Sequence, residues 1–191
     1  MSQRTRILAE IWGYRGWNVI GVAYENSRGQ PLRLLGGVAP PEAFVVLQVT
    51  RRWSPRCACC GAIGGKVHDR LPRRRWRDLP WAGHAAEIEY APVRIACGRC
   101  KRIAVDALGW ADPGQRQSRR FQHLLALEAS SAPVLHVAAK HGLDWGTVRR
   151  AAQYALERHA LGKPSGAKQG GAVQAADLAG QGETARRPTY H

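Results

Sequence analysis

The chain has 191 residues, enough for one ordinary domain or two small ones. Its formal net charge is +15, and 45% of its residues are hydrophobic, seven of them tryptophan. A chain this basic repels itself unless a polyanion neutralises it. It also shows no apolar run long enough to span a bilayer and no signal-peptide core after its start. The balance disfavours membrane-spanning and secreted classes and points to a soluble, intracellular protein whose commonest polyanion is nucleic acid, with an anionic membrane surface as the rival; the motifs that follow narrow this to double-stranded DNA and a cytoplasmic, nucleoid-associated place.

In chain order, residues 1–13 place Ile7, Leu8, Ile11 and Trp12 on one face, which predicts a short helix. Trp17 to Tyr24 is rich in β-formers, and Arg28 to Pro31 is a turn. Ala43 to Val49 is a second strand, entered after Pro40 and Pro41. The stretch 51–77 holds nine cations against one acid, Asp69, so it supplies about half the net charge. Within it Arg73, Arg74, Arg75 and Arg77 are candidate DNA contacts. Trp76 either stacks on bases there or packs, with Trp81, into the neighbouring module. Residues 86–96 alternate as one strand, with Ile88 and Tyr90 followed by Val93 and Ile95 after a shift at Pro92, a mark of an edge or a bulge.

Helices take over after Pro113. Ser118 is an N-cap, Phe121, Leu124, Leu125 and Glu128 follow at helical spacing, and Pro133 suits the first turn of the next helix. From Gly162 the composition turns to Gly, Ala, Gln, Ser and Lys. Such a tail buries too little surface to offset its ordering entropy and is predicted to be disordered.

Four of the five cysteines form a constellation. Cys57-x-x-Cys60 and Cys97-x-x-Cys100 stand thirty-six residues apart, each pair entered from a strand. Two such turns can complete a tetrahedral thiolate shell, which suits Zn²⁺. A redox pair or buried thiols would not explain why there are two pairs. Gly61 and Gly98 supply residues tolerant of positive φ, and the nearby arginines would favour thiolates. Cys59 is spare, and His68 and His84 are weak rivals as ligands because four thiolates already suffice. A closed site of this kind does no catalysis.

Residues 134–153 fit a helix-turn-helix. Ala138 is the small contact between helices, Gly142 the turn and Leu143 the plug behind it, with Val137, Val148 and Ala151 as anchors. Asp144 caps the second helix through the amide of Gly146 or Thr147. His141 stands where an apolar residue is more usual. The second helix then offers Trp145, Thr147, Arg149 and Arg150 near its start, where a recognition helix meets base edges. An ordinary helical hairpin would share this pattern; the basic background favours DNA.

These residues resemble a known family. The order runs Cys-x-x-Cys-Gly at 57–61, His68-Asp69-Arg70, Trp76-Arg77-Asp78-Leu79-Pro80, a strand with Arg94, Cys97-x-x-Cys100 and then the helix-turn-helix. Over about residues 50–160 this is similar to the N-terminal half of the "IS-L three" group of bacterial insertion-sequence transposases. The resemblance implies a zinc module and helix-turn-helix that bind terminal inverted repeats, followed by an RNase H-like DDE domain that cuts. About thirty residues follow the motif here, with Asp177 and Glu183 their only acids, too few carboxylates for two-metal chemistry.

The expectation is therefore a non-enzymatic, truncated transposase of α+β class. It comprises an N-terminal β-rich segment (1–50) packed on the cysteine module, a zinc-ribbon-like domain (51–112), a helix-turn-helix domain (113–161) and a disordered tail (162–191). The metal ligands are Cys57, Cys60, Cys97 and Cys100. The DNA contacts are Trp145, Thr147, Arg149, Arg150, Arg73, Arg74, Arg75 and Arg77. A homodimer and an assembly with full-length transposase both stay open, as do a transcriptional regulator and an RNA-binding zinc ribbon. A nuclease or strand-transferase is disfavoured by 14 acids that form no cluster.

Overall fold

The computed structural model describes residues 12–34 and 38–160. The helix expected over 1–13 lies almost wholly outside the described residues, as does the tail at 162–191. The described fold is α+β, with the strands first and the helices after them. The strands are β1 (Trp17–Glu25), β2 (Phe44–Arg51), β3 (Lys66–Arg70), β4 (Arg74–Trp81), β5 (His84–Tyr90), β6 (Val93–Ala96) and β7 (Ile103–Val105). The helices are α1 (Arg119–Ala129), α2 (Val134–His141) and α3 (Trp145–Ala160).

The strands form two sheets, ordered β1-β2-β5-β4 and β3-β6-β7. The first is mixed: β1 with β2 and β4 with β5 are antiparallel, while β2 and β5 run parallel. A parallel neighbour needs a long crossover, and here the first cysteine pair, β3 and β4 all lie within it.

Residues 86–96 are not the single strand that their alternation suggests. Tyr90 ends β5 in the first sheet, and Val93 begins β6 in the second. Pro92 is the physical cause, since it has no amide hydrogen to continue the β5 ladder. Its carbonyl instead accepts from Leu71 N at 2.7 Å, beside β3. The interruption read as an edge or bulge is the point where the chain changes sheets.

Strand β4 alternates two kinds of side chain, as a pleat requires. Trp76 and Asp78 are buried, and Trp76 enters the core. Arg75 and Arg77 take the opposite face, directly across from Glu89 and Glu87 of β5. The core of this sheet is aromatic. Trp110, from the segment after β7, sits edge-on to Trp76 at 5.1 Å and to Trp17 at 5.6 Å, and Trp17 meets Tyr90 at 4.8 Å. Trp76 is thus unavailable for stacking on RNA bases. It and Trp81 pack on the four-stranded sheet rather than against the cysteines.

The helices enclose a smaller core of Phe121, Leu125, Val137, Ala138, Val148 and Ala151, with Leu79 of β4 packed against it. Ser118 Oγ caps α1 by accepting from Phe121 N at 3.2 Å. Gly142 ends α2 with φ 61°, a left-handed conformation that favours glycine. His141 is buried because it has a partner: Glu128 Oε2 lies 2.8 Å from its Nε2, and its ring meets Phe121 edge-on. Burial alone would raise the Glu128 carboxyl, but Lys140 and His141 hold it below its ordinary range.

Candidate metal centre and nucleic-acid interface

Cys57, Cys60, Cys97 and Cys100 converge, with all four Sγ atoms within 4.8 Å of one another. Cys57 Sγ is 3.7 Å from Cys100 Sγ, and Cys60 Sγ is 3.5 Å from Cys97 Sγ. These are not disulfides, whose sulfurs lie about 2.05 Å apart. A tetrahedron with Zn–S bonds of about 2.3 Å has edges of about 3.8 Å, close to both separations. The donor set therefore fits one tetrahedral, thiophilic ion. Cys59 is exposed and outside the cluster; His68, exposed, and His84, half-buried, lie outside it as well.

Two matching turns build the centre. Gly61 N donates to Cys57 O at 2.8 Å, and Lys101 N donates to Cys97 O at 3.0 Å. Each first cysteine also donates its amide to the residue five on, Ala62 or Arg102. The left-handed position follows the second cysteine in both turns: Gly61 at φ 71° and Lys101 at φ 56°. Gly98 is not the positive-φ residue that its place in the sequence suggests; a lysine carries that conformation instead. A β-carbon on Gly61 would meet nothing, so only φ penalises it. Gly61→Ala is expected to cost about 1 kcal/mol and Lys101→Gly to gain a similar amount, read by urea denaturation of the metal-loaded protein.

The thiol chemistry is set by the backbone more than by arginines. Amides of Cys100 and Arg99 point at Cys97 Sγ and bring that thiol down to about 6. At Cys100 the Arg102 amide lowers the value, but desolvation and the neighbouring sulfurs win and push it up to about 12. The Cys97 thiolate forms readily while the Cys60 and Cys100 thiols resist ionisation, which is the behaviour of crowded sulfurs that a shared cation would relieve.

The helix-turn-helix is closed by its own polar contacts. Asp144 Oδ1 accepts from Thr147 N at 2.8 Å and caps α3, while Thr147 Oγ1 donates to Asp144 Oδ2. Trp145 is 54% exposed, Arg149 and Arg150 are exposed, and Arg150 Nη2 reaches Thr147 Oγ1 at 3.2 Å. The start of α3 therefore presents an aromatic ring and two guanidinium groups to solvent.

The basic stretch divides. Arg74 is exposed, and Arg73 is largely exposed although it pairs with Glu89. Arg75 is held by Glu25 at 2.6 Å and by Glu89 at 3.0 Å. Arg77 lies beneath the surface, its guanidinium over Phe44 and its Nη2 donating to His141 O at 3.0 Å, at the end of α2. Arg77 thus acts inside the protein, while Arg75, its side chain 39% exposed, is committed to two carboxylates. The structure does not bring them together with the exposed side chains of α3.

Asp78 is a hub that sequence reasoning quoted within its motif and gave no role. Its carboxylate is 1% exposed and accepts from Trp12 Nε1 at 2.9 Å, Tyr14 OH at 3.2 Å, Ser118 Oγ at 2.6 Å and Arg120 Nε at 2.8 Å. Arg120 Nη2 pairs with its other oxygen and Arg120 Nη1 donates to Trp12 O. Desolvation opposes ionisation, yet hydrogen bonds from Arg120 and Ser118 keep Asp78 below the ordinary carboxylate range. Segment 76–80 thus rivets the sheet to the helices: Trp76 in one core, Leu79 in the other, and Arg77 and Asp78 bonded across. Asp106 does similar work between the two sheets, accepting from Arg51 Nη2 at 2.7 Å, Tyr90 OH at 2.9 Å and Val93 N at 3.1 Å.

The three-helix unit, with the start of α3 exposed, has the form of a helix-turn-helix on an α+β scaffold. Residues 107–156 match the family model for the helix-turn-helix domain of transposase family ISL3. That region is an ISL3-type transposase helix-turn-helix, a DNA-binding element of transposition. Comparison with curated proteins and with solved structures finds no match for the chain. No described helix is long and apolar enough to cross a membrane.

Proposed function

We propose that the protein is a zinc-dependent DNA-binding protein, the non-catalytic part of a transposase that recognises the terminal inverted repeats of its element. The observation that carries this reading is the exposed start of α3, with Trp145, Thr147, Arg149 and Arg150 on a unit matching a transposase helix-turn-helix. Arg149 and Arg150 read guanine edges or hold phosphates, and Trp145 and Thr147 make the apolar and hydroxyl contacts beside them. Arg73 and Arg74 add phosphate contacts from the sheet side. Zn²⁺ at the four thiolates is structural: it holds the three-stranded sheet and does no chemistry.

Gel shifts with duplexes carrying the ends of the parent element test this reading. Binding is expected to favour those ends over random duplex and to weaken steeply with salt. Arg149→Ala is expected to lose about 1–3 kcal/mol of discrimination if it reads a base. Equal affinity for ends and random duplex would refute the specificity, and footprints confined to a host promoter would point to a transcriptional regulator instead.

A further inference from the structure

Two adjoining depressions flank the segment that leads into α1. One, of about 370 Å³, has Arg74, Arg116 and Arg119 at its rim and reaches the first cysteine turn at Ala58. The other, of about 530 Å³, lies between this segment and α3, with Arg116 facing Thr147, Arg150, Gln153 and Tyr154. Gly114, Gln115 and Arg116 line both. The segment is the wall they share.

That wall is rigid. Gln115 N donates to Asp112 O at 3.1 Å across Pro113 and Gly114, the latter at φ 78°, a turn that requires glycine at its third position. Asp112 is anchored by Arg119 and by Arg158 of α3. Gln115 Oε1 accepts from the buried Gln122 at 3.1 Å. Arg116 O accepts from Arg77 N at 2.9 Å, and Ser118 N donates to Arg77 O at 2.8 Å. The backbone is thus tied down on both sides of Arg116, while the Arg116 side chain is exposed and has no partner among the described residues. A cation held on a fixed backbone, with its own hydrogen-bonding capacity unused, is prepared for an external anion. Glu157, the acid on the second wall, is turned to Gln153 at 3.0 Å.

We propose that segment 112–118 is a phosphate clamp, and that Arg74, Arg116 and Arg150 line one track carrying the sugar–phosphate backbone of duplex DNA from the cysteine module to the recognition helix. This rests on the duplex-binding reading above and adds a contact surface outside the recognition helix. Arg116 is the middle of the track and carries no sequence information. It fixes the register in which α3 meets the bases.

Salt titration of binding to a fluorescein-labelled random-sequence duplex tests the clamp. For wild type, the logarithm of the binding constant should fall linearly with the logarithm of salt concentration. Arg116→Ala should flatten that slope by about 0.9, the signature of one lost phosphate contact. Arg116→Lys should restore it, and Arg74→Ala should flatten it independently. The Arg116 side chain supports nothing internal, so the urea midpoint of Arg116→Ala should equal that of wild type. If wild type binds duplex and Arg116→Ala keeps the full slope, the clamp is overturned and the duplex reading stands. Weaker binding by Arg116→Ala with an unchanged slope also overturns it. If wild type binds no duplex, both readings fall.

Discussion

Stripping the metal from the four cysteines is expected to unravel the three-stranded sheet and leave the four-stranded sheet folded. The reason lies in what fills the smaller core. Around it the buried apolar side chains are Val93 and Ile95, and the rest is Cys57 and Cys97 with Cys60, Cys100 and two alanines at the margin. Burial of two aliphatic side chains yields only about 3–6 kcal/mol, and the ordering entropy of strands and turns exceeds that. Structural zinc in such small units contributes on the order of 10 kcal/mol. The neighbouring sheet has its own tryptophan core and does not depend on the ion. In hydrogen exchange, a chelator should remove amide protection at 57–62 and 93–105 while the near-ultraviolet tryptophan signal persists. Cys97→Ser should reproduce the pattern without chelator. Exchange at these amides that ignores both treatments would show that the cysteines are not a structural metal centre.

Asp78→Ala is expected to be the most destabilising substitution outside that centre, at about 3–5 kcal/mol, because it strands the Arg120 guanidinium among buried groups. The indole of Trp12 and the hydroxyls of Tyr14 and Ser118 lose the same acceptor. The pH dependence follows from the depressed carboxyl. A group whose folded value lies below its unfolded value of about 3.9 stabilises fully above that pH. The contribution is then lost as pH falls through the folded value. Wild type should accordingly lose stability in acid below about pH 4, and Asp78→Asn should flatten that limb of the curve. Urea midpoints across the acid range measure both effects. A wild-type midpoint indifferent to acid, or an Asp78→Ala unfolding free energy within about 0.5 kcal/mol of wild type, about the scatter of surface substitutions, would remove Asp78 from its central position.

Both elements of the site were legible where local spacing carries the information. The Cys-x-x-Cys pairs brought their sulfurs together as the repeat implied, and Ser118, Gly142 and Asp144 cap and turn the helices where their side-chain chemistry puts them. Long-range pairing was not legible. Nothing local distinguishes Arg74, which is exposed, from Arg75 and Arg77, which stand across from Glu89 and Glu87 only because β4 and β5 take one particular register. The same holds for Asp78 and Arg120, forty-two residues apart. His141 looked like a departure from an apolar position, and only the fold supplies Glu128 to satisfy it. Lys101 was hidden because lysine rarely adopts a left-handed conformation, so Gly98 drew the assignment.

The aromatic core has a consequence for how this protein can be dissected or shuffled. The stretch that matches the transposase helix-turn-helix begins at residue 107, and within it Trp110 is 1% exposed in the core of the sheet, not of the helices. Arg120, from the same stretch, closes its charge on Asp78 and on the carbonyl of Trp12. A cassette cut at the edges of sequence similarity would carry an indole with no cavity to fill and a guanidinium with no acid to meet. The segment that can be recognised by descent is thus smaller than the segment that can fold. A fragment that retains α3 in working order has to include Trp12.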